Sequence, residues 1–204
     1  FIFFGPVSTA SLNDTDADAA FYGTQALGAT GYSVEIGDIN SDGSQDLVIG
    51  APYENLGSDY SGTVYVKYGP ISTGEAGLES ADARMIGAGN DEIGQIIHIA
   101  DLDGDGNNDI ITASPGSDQN STDSGVIYIT SGPVMPGDTE LYSTSHVMGG
   151  ENEGDQFGTS VFAQDVDDDG NVDLLVGAVG FDDAGTDYGA LYVFLGPINS
   201  PSTA

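Results

Sequence analysis

The stretch Asp101-Leu102-Asp103-Gly104-Asp105-Gly106-Asn107-Asn108-Asp109, followed at once by Ile110-Ile111-Thr112, decides how this chain is read. Carboxylates stand at positions 1, 3 and 5, glycine at position 6 and a further carboxylate at position 9. Alternate side chains converge only if the chain curls, and a glycine at position 6 permits the sharp turn. The pattern recurs as Asp38, Asn40, Asp42, Gly43 and Asp46, and again as Asp165, Asp167, Asp169, Gly170 and Asp173. Position 7 (Ser44, Asn107, Asn171) would add a backbone carbonyl. Hard oxygen donors in this number suit Ca²⁺ better than Mg²⁺, which keeps several waters. Like charges this close repel one another unless a cation sits among them. Three Ca²⁺ sites of structural role are therefore expected. They are not EF-hands, because position 12 holds Ile49, Thr112 and Val176 where that motif needs a glutamate, and the flanks read as strands.

The loops are markers of a larger repeat. Their first aspartates, Asp38, Asp101 and Asp165, lie 63 and 64 residues apart, and Gly-Pro pairs at Gly5, Gly69, Gly132 and Gly196 keep intervals of 64, 63 and 64. Each pair closes an apolar run: FIFFGP, VYVKYGP, VIYITSGP and LYVFLGP. Within a unit a short apolar stretch precedes the aspartates and a β-branched run follows them. A third strand comes after an acidic loop, with a weaker fourth near Arg84-Met85-Ile86 and His146-Val147-Met148. No segment carries a sustained 3.6-residue period. The fold class expected is all-β, with tandem four-stranded antiparallel blades of a β-propeller. The boundaries expected are 1–6 for the end strand of a preceding blade, 7–70, 71–133 and 134–197 for three near-complete repeats, and 198–204 for a tail. An array of this kind would be open, or completed by other sequence or other copies.

Composition narrows the function classes. Among 204 residues there are 33 Asp plus Glu against Lys67 and Arg84 alone, a net charge of −31. Such a surface repels phosphate backbones and anionic lipid, which argues against nucleic-acid partners. No apolar run is long enough to insert in a bilayer. There is no cysteine, hence no disulfide and no thiolate site. Without a starting Met or an apolar leader, the chain reads as a mature or excised segment. No nucleophile elbow, HExxH helix or P-loop occurs, and no catalytic residue is assigned. His98 and His146, the only histidines, read as ordinary sheet positions. The acidic loops SLNDTDADAAFYG, AGNDEIG, GGENEGDQFG and GFDDAGTDYG read as a solvated coat, with a binding face as the alternative. Tyr65, Tyr68, Tyr128 and Tyr192 read as blade packing. Asn13 and Asn120 fit the N-glycosylation pattern.

Phe157-Gly158, the aspartate loops, Val48-Ile49-Gly50-Ala51-Pro52 and Gly62-Thr63-Val64-Tyr65-Val66 together resemble the FG-GAP repeat, which builds the β-propeller of integrin alpha subunits and of many bacterial surface proteins. The departures are local: Gly31-Tyr32 and Ile93-Gly94 stand for Phe-Gly, and Ala113-Ser114-Pro115 and Gly177-Ala178-Val179 for Gly-Ala-Pro. The resemblance implies that the fifteen loop positions bind calcium. It also implies a non-enzymatic, extracellular or cell-surface module for adhesion or for recognition of a protein or glycan. Two alternatives remain: a filament subunit whose copies join blade to blade by strand completion, and a non-catalytic accessory domain of a secreted hydrolase.

Overall fold

The apolar runs of each repeat form adjacent antiparallel strands, and the blades they build stack as separate sheets. The computed structural model describes residues 1–5, 13–57, 59–182 and 188–199. Its strands are β1 (Ala19–Tyr22), β2 (Val34–Gly37), β3 (Asp46–Ala51), β4 (Thr63–Lys67), β5 (Gly74–Gly77), β6 (Ala83–Ile86) and β7 (Ile96–Ala100), then β8 (Asp109–Ser114), β9 (Val126–Thr130), β10 (Gly137–Glu140), β11 (His146–Gly149), β12 (Phe157–Gln164), β13 (Asp173–Ala178) and β14 (Ala190–Phe194). The first blade is β2-β3-β4-β6, the second β7-β8-β9-β11 and the third β12-β13-β14, all antiparallel. Ile2 bridges to Ala19, so the start of the chain and β1 are the outer part of a preceding blade.

Sequence repeats and blades are therefore out of phase: each repeat supplies the outer strand of one blade and the three inner strands of the next. A further pairing was not expected from the sequence. After the third strand of the first and of the second blade, a short segment runs back to the outer edge of the preceding blade, where it adds in parallel. Thus β5 pairs with β1, and β10 with β6. This covers an edge whose backbone groups would otherwise be open to pairing with another chain. Arg84 sits opposite Asp138 in that register, and its Nε lies 2.8 Å from the carboxylate. Lys67 is paired with Asp82 at 2.7 Å.

Two-residue alternation places one set of side chains on each face of a strand, and the central strands β3 and β8 are buried on both. Between the first and second blades lie Val48, Val64, Val66 and Met85 against Ile97, Ile110, Val126 and Tyr128. Between the second and third lie Ile111, Ala113, Ile127 and Ile129 against Leu174, Val176 and Phe157. Each fully buried aliphatic side chain contributes about 1.5–3 kcal/mol. Of the first strands, β7 neighbours both β2 and β12, so the blades meet there. The repeat-equivalent residues Glu35, His98 and Phe162 meet on this inner edge: His98 Nδ1 is 3.4 Å from Glu35 Oε1, and its ring centroid is 5.5 Å from that of Phe162.

Candidate metal centres

Each aspartate loop joins the first and second strands of a blade and is shaped by its own backbone N–H groups. In the second loop the N–H groups of Gly104 and Asp105 donate to Asp101 Oδ1 (2.8 and 3.1 Å) and that of Gly106 to Oδ2 (2.9 Å). Asp105 N–H also donates to Asp103 Oδ1, and Asn107 N–H to Asp105 Oδ1. The third loop repeats this at Asp165, Asp167 and Asp169, and the first at Asp38, Asn40 and Asp42. Gly43, Gly106 and Gly170 have φ of +87°, +91° and +93°, where a side chain is strained. Position 4 is left-handed too, occupied by Ser41, Gly104 and Asp168.

Carboxylate oxygens come together in part of the expected set, in the second and third loops. Those of Asp101, Asp103 and Asp109 lie within 4.8 Å of one another, and so do those of Asp165, Asp167 and Asp169. Asp105 of the second loop, Asp173 of the third and the acids of the first loop stand outside these groups. The first loop has the same hydrogen-bond scheme with a neutral Asn40 amide in place of a carboxylate, giving it less charge. The all-oxygen donor set fits Ca²⁺. Backbone N–H of Ser44 and the Asn40 amide hold Asp42 below the usual carboxylate range. Burial pushes Asp109 up, against the N–H groups of Gly132 and Leu102, and the charges of Asp103 and Asp101 add to it.

Position 9 has a second task. Asp46, Asp109 and Asp173 are buried, and one oxygen of each accepts the N–H of the position-2 residue: Ile39 at 3.0 Å, Leu102 at 2.9 Å, Val166 at 2.8 Å. The other accepts the N–H of the glycine in the Gly-Pro pair: Gly69 at 2.8 Å, Gly132 at 3.0 Å, Gly196 at 2.8 Å. A Cβ on these glycines would stand 2.2–2.3 Å from a backbone carbonyl at position 8 of the loop. The two sequence markers are thus one device, joining the loop to the end of the third strand. The loops also join blades. Val134 N–H donates to Ile39 C=O at 2.8 Å and Ile198 N–H to Leu102 C=O at 2.7 Å. Asn108 Nδ2 donates to Asp38 C=O, and Ser41 Oγ to Asn107 Oδ1.

Sequence reasoning missed a second set of acids. Glu54 is fully buried and accepts from Tyr65 OH, Thr24 N–H and Thr24 Oγ1. Asp91 is buried in the loop read as a coat, and accepts from Ser117 Oγ at 2.9 Å, Tyr128 OH at 2.6 Å and Ala88 N–H at 2.9 Å. Tyr65 and Tyr128 are repeat-equivalent, but their partners are not. Where the second blade has Asp91 and Ser117, the first has Gly28 and Glu54, so the carboxylate reaches the same hydroxyl from the other position. Comparing the units position by position was the signal that could have found it. Burial and these carboxylates raise both phenols above the ordinary tyrosine value.

Asn13 caps a 3₁₀ turn, Asp14–Asp16, accepting from Thr15 N–H. Asn120 is exposed, with Nδ2 donated to Gly150 C=O at 2.9 Å. The acidic stretch at 183–187 and the tail beyond residue 199 lie outside the described residues. Among the described residues no helix is long and apolar enough to cross a membrane.

The FG-GAP repeat family matches residues 30–66 and 94–130. Integrin alpha-5 of Xenopus laevis is 34% identical over 183 residues, covering 84% of this chain and 17% of that protein. Human integrin alpha-IIb is 32% identical over 78% of this chain and 15% of its own length. A phosphatidylinositol-glycan-specific phospholipase D of Rattus norvegicus is 34% identical over 50% of this chain and 12% of its own. The chain spans a fifth or less of the curated relatives it matches.

Proposed function

We propose that this chain, which belongs to the FG-GAP repeat family, is a calcium-stabilised, non-catalytic β-propeller module that acts outside the cell in adhesion or in recognition of a protein or glycan. The observation that carries the reading is the threefold recurrence of one loop hydrogen-bond scheme, with carboxylate oxygens clustered in the second and third loops and the position-9 carboxylate joining each loop to the end of the third strand. A bound Ca²⁺ supplies the positive charge that the clustered aspartates lack. The chain's own part is to hold positions 1, 3, 5 and 9 in place through backbone N–H groups, so that ion binding and blade geometry stabilise each other. Similarity to integrin alpha subunits supports a place at the cell surface and a protein ligand. Thermal melts in excess calcium and in excess chelator test it: chelation lowers the melting temperature, and superimposable curves would refute the reading.

A second reading is favoured by the outer face of the third blade. Leu191 and Val193 occupy the positions of Ile127 and Ile129, which are buried between the second and third blades, yet they are 64% and 46% exposed. With Phe162 and Leu195 they form an apolar sheet face of the kind that receives another blade. In this reading copies of the chain join blade to blade as a filament, and sedimentation at rising concentration checks it: a constant monomer mass rejects it. Similarity to phospholipase D chains supports the third reading, a non-catalytic region within a hydrolase.

A further inference from the structure

We propose that the cleft between the second and third blades binds an organic cation, the guanidinium or ammonium group of a basic side chain. The cleft is bounded by Met148, Glu151, Asp155, Phe157, Tyr192 and Phe194, and measures about 280 Å³, room for one long side chain. It lies at the Ala178 end of β13, opposite the Asp173 end that carries the third aspartate loop, so the inference does not rest on calcium binding.

Asp155 is the repeat equivalent of Asp91, and the two begin alike. Asp155 Oδ2 accepts the N–H of Asn152 at 3.0 Å, as Asp91 Oδ2 accepts that of Ala88. They then diverge. The position of Ser117, which donates to Asp91 Oδ1, is taken by Phe181, which has nothing to donate. Asp155 is 3% exposed, and its Oδ1 atom has no hydrogen-bond partner among the described residues. A buried carboxylate left in this state is costly unless a donor or a counter-charge reaches it. The chain's Lys67 and Arg84 are paired with Asp82 and Asp138 at the edges of the first blade, while Glu151 adds a second negative charge to the cleft.

The walls suit an organic cation rather than a metal ion. Tyr192 stacks with Phe194 at 6.4 Å between centroids, and Phe157 meets Tyr192 edge-on at 5.5 Å. Aromatic faces attract guanidinium and ammonium groups, whereas calcium would need several more oxygens than this lining offers. One end of the cleft thus supplies charge and the other a flat apolar contact, which matches a guanidinium on its alkyl stem.

The test is an NMR titration of the whole chain in saturating calcium with N-acetyl-arginine amide, using the neutral N-acetyl-citrulline amide as control. Saturable shifts at Glu151, Asp155 and Tyr192 are expected with the first and not the second. Asp155→Asn should weaken binding about tenfold or more, as loss of a charge-assisted pair does. Phe181→Ser, which restores the second blade's internal donor, should weaken it as well, with folding of both variants checked by their amide spectra. Equal binding of citrulline, unchanged affinity in both variants, absence of shifts in the parent chain, or displacement of the probe by calcium beyond loop saturation would each overturn the proposal.

Discussion

The side-chain amide of Asn108 donates to the backbone carbonyl of Asp38 across 2.9 Å, so the eighth residue of one aspartate loop holds the first residue of the loop on the neighbouring blade. Val172 stands at the equivalent place in the third loop and packs into the apolar layer between blades. Replacing Asn108 by Val removes the link while keeping a side chain the repeat accepts. Urea unfolding of Asn108→Val should show a loss of about 1–2 kcal/mol, the cost of one hydrogen bond and an unpaired carbonyl. An unchanged midpoint would mean that the loops act separately.

Positions within a loop should differ sharply in their effect on calcium. Asp105→Ala removes the position-5 carboxylate and should cost the second loop its ion. Asp168→Gly alters only position 4, where φ is +61° and the second loop already has Gly104. Calcium titrations should find one site fewer in the first variant and the parent number in the second. Ala at position 168 is a poor control, because that backbone conformation strains any residue with a Cβ.

The exchange of carboxylate position between blades predicts a compensating pair. Glu54→Ser alone should destabilise by roughly 2–4 kcal/mol, leaving Tyr65 OH and Thr24 N–H without their acceptor. Gly28→Asp alone should also destabilise, since a Cβ there would stand 2.4 Å from Glu54 Cγ. Together they rebuild the Asp91–Ser117 arrangement in the first blade. A double-mutant cycle should give a favourable coupling of about 2 kcal/mol or more. Additive losses would show that the two arrangements are not interchangeable.

Alkaline titration reports on the same tyrosines. Burial, with the charges of Asp46 and Asp82, pushes Tyr68 up to about 12, and Tyr65 and Tyr128 are raised as well. A phenol whose folded value lies above its unfolded value near 10 favours the neutral form in the fold. Its contribution is therefore complete below about pH 10 and is lost as pH rises toward 12. Absorbance at the phenolate band should show the exposed tyrosines ionising first and these three last, together with unfolding. Full ionisation of all ten near pH 10 would contradict their burial.

Much of the fold was legible because two markers recur at one period and each has a single physical reason. Glycine at position 6 needs a left-handed backbone, and glycine before proline needs room against a carbonyl. The parallel strands β5 and β10 were not legible: Gly74–Gly77 and Gly137–Glu140 lack apolar alternation, and their pairing is set by the edge they cover. Asp91 and Asp155 were hidden for a different reason. In a chain with 33 acids, a buried carboxylate looks like any other until its neighbours are known.

The most direct test is calorimetric titration of the chelator-stripped chain with calcium. Saturable binding of three ions per chain is predicted, falling to two when Asp105 is replaced by Ala. Only diffuse, salt-screened uptake, or a stoichiometry indifferent to that replacement, would contradict the account.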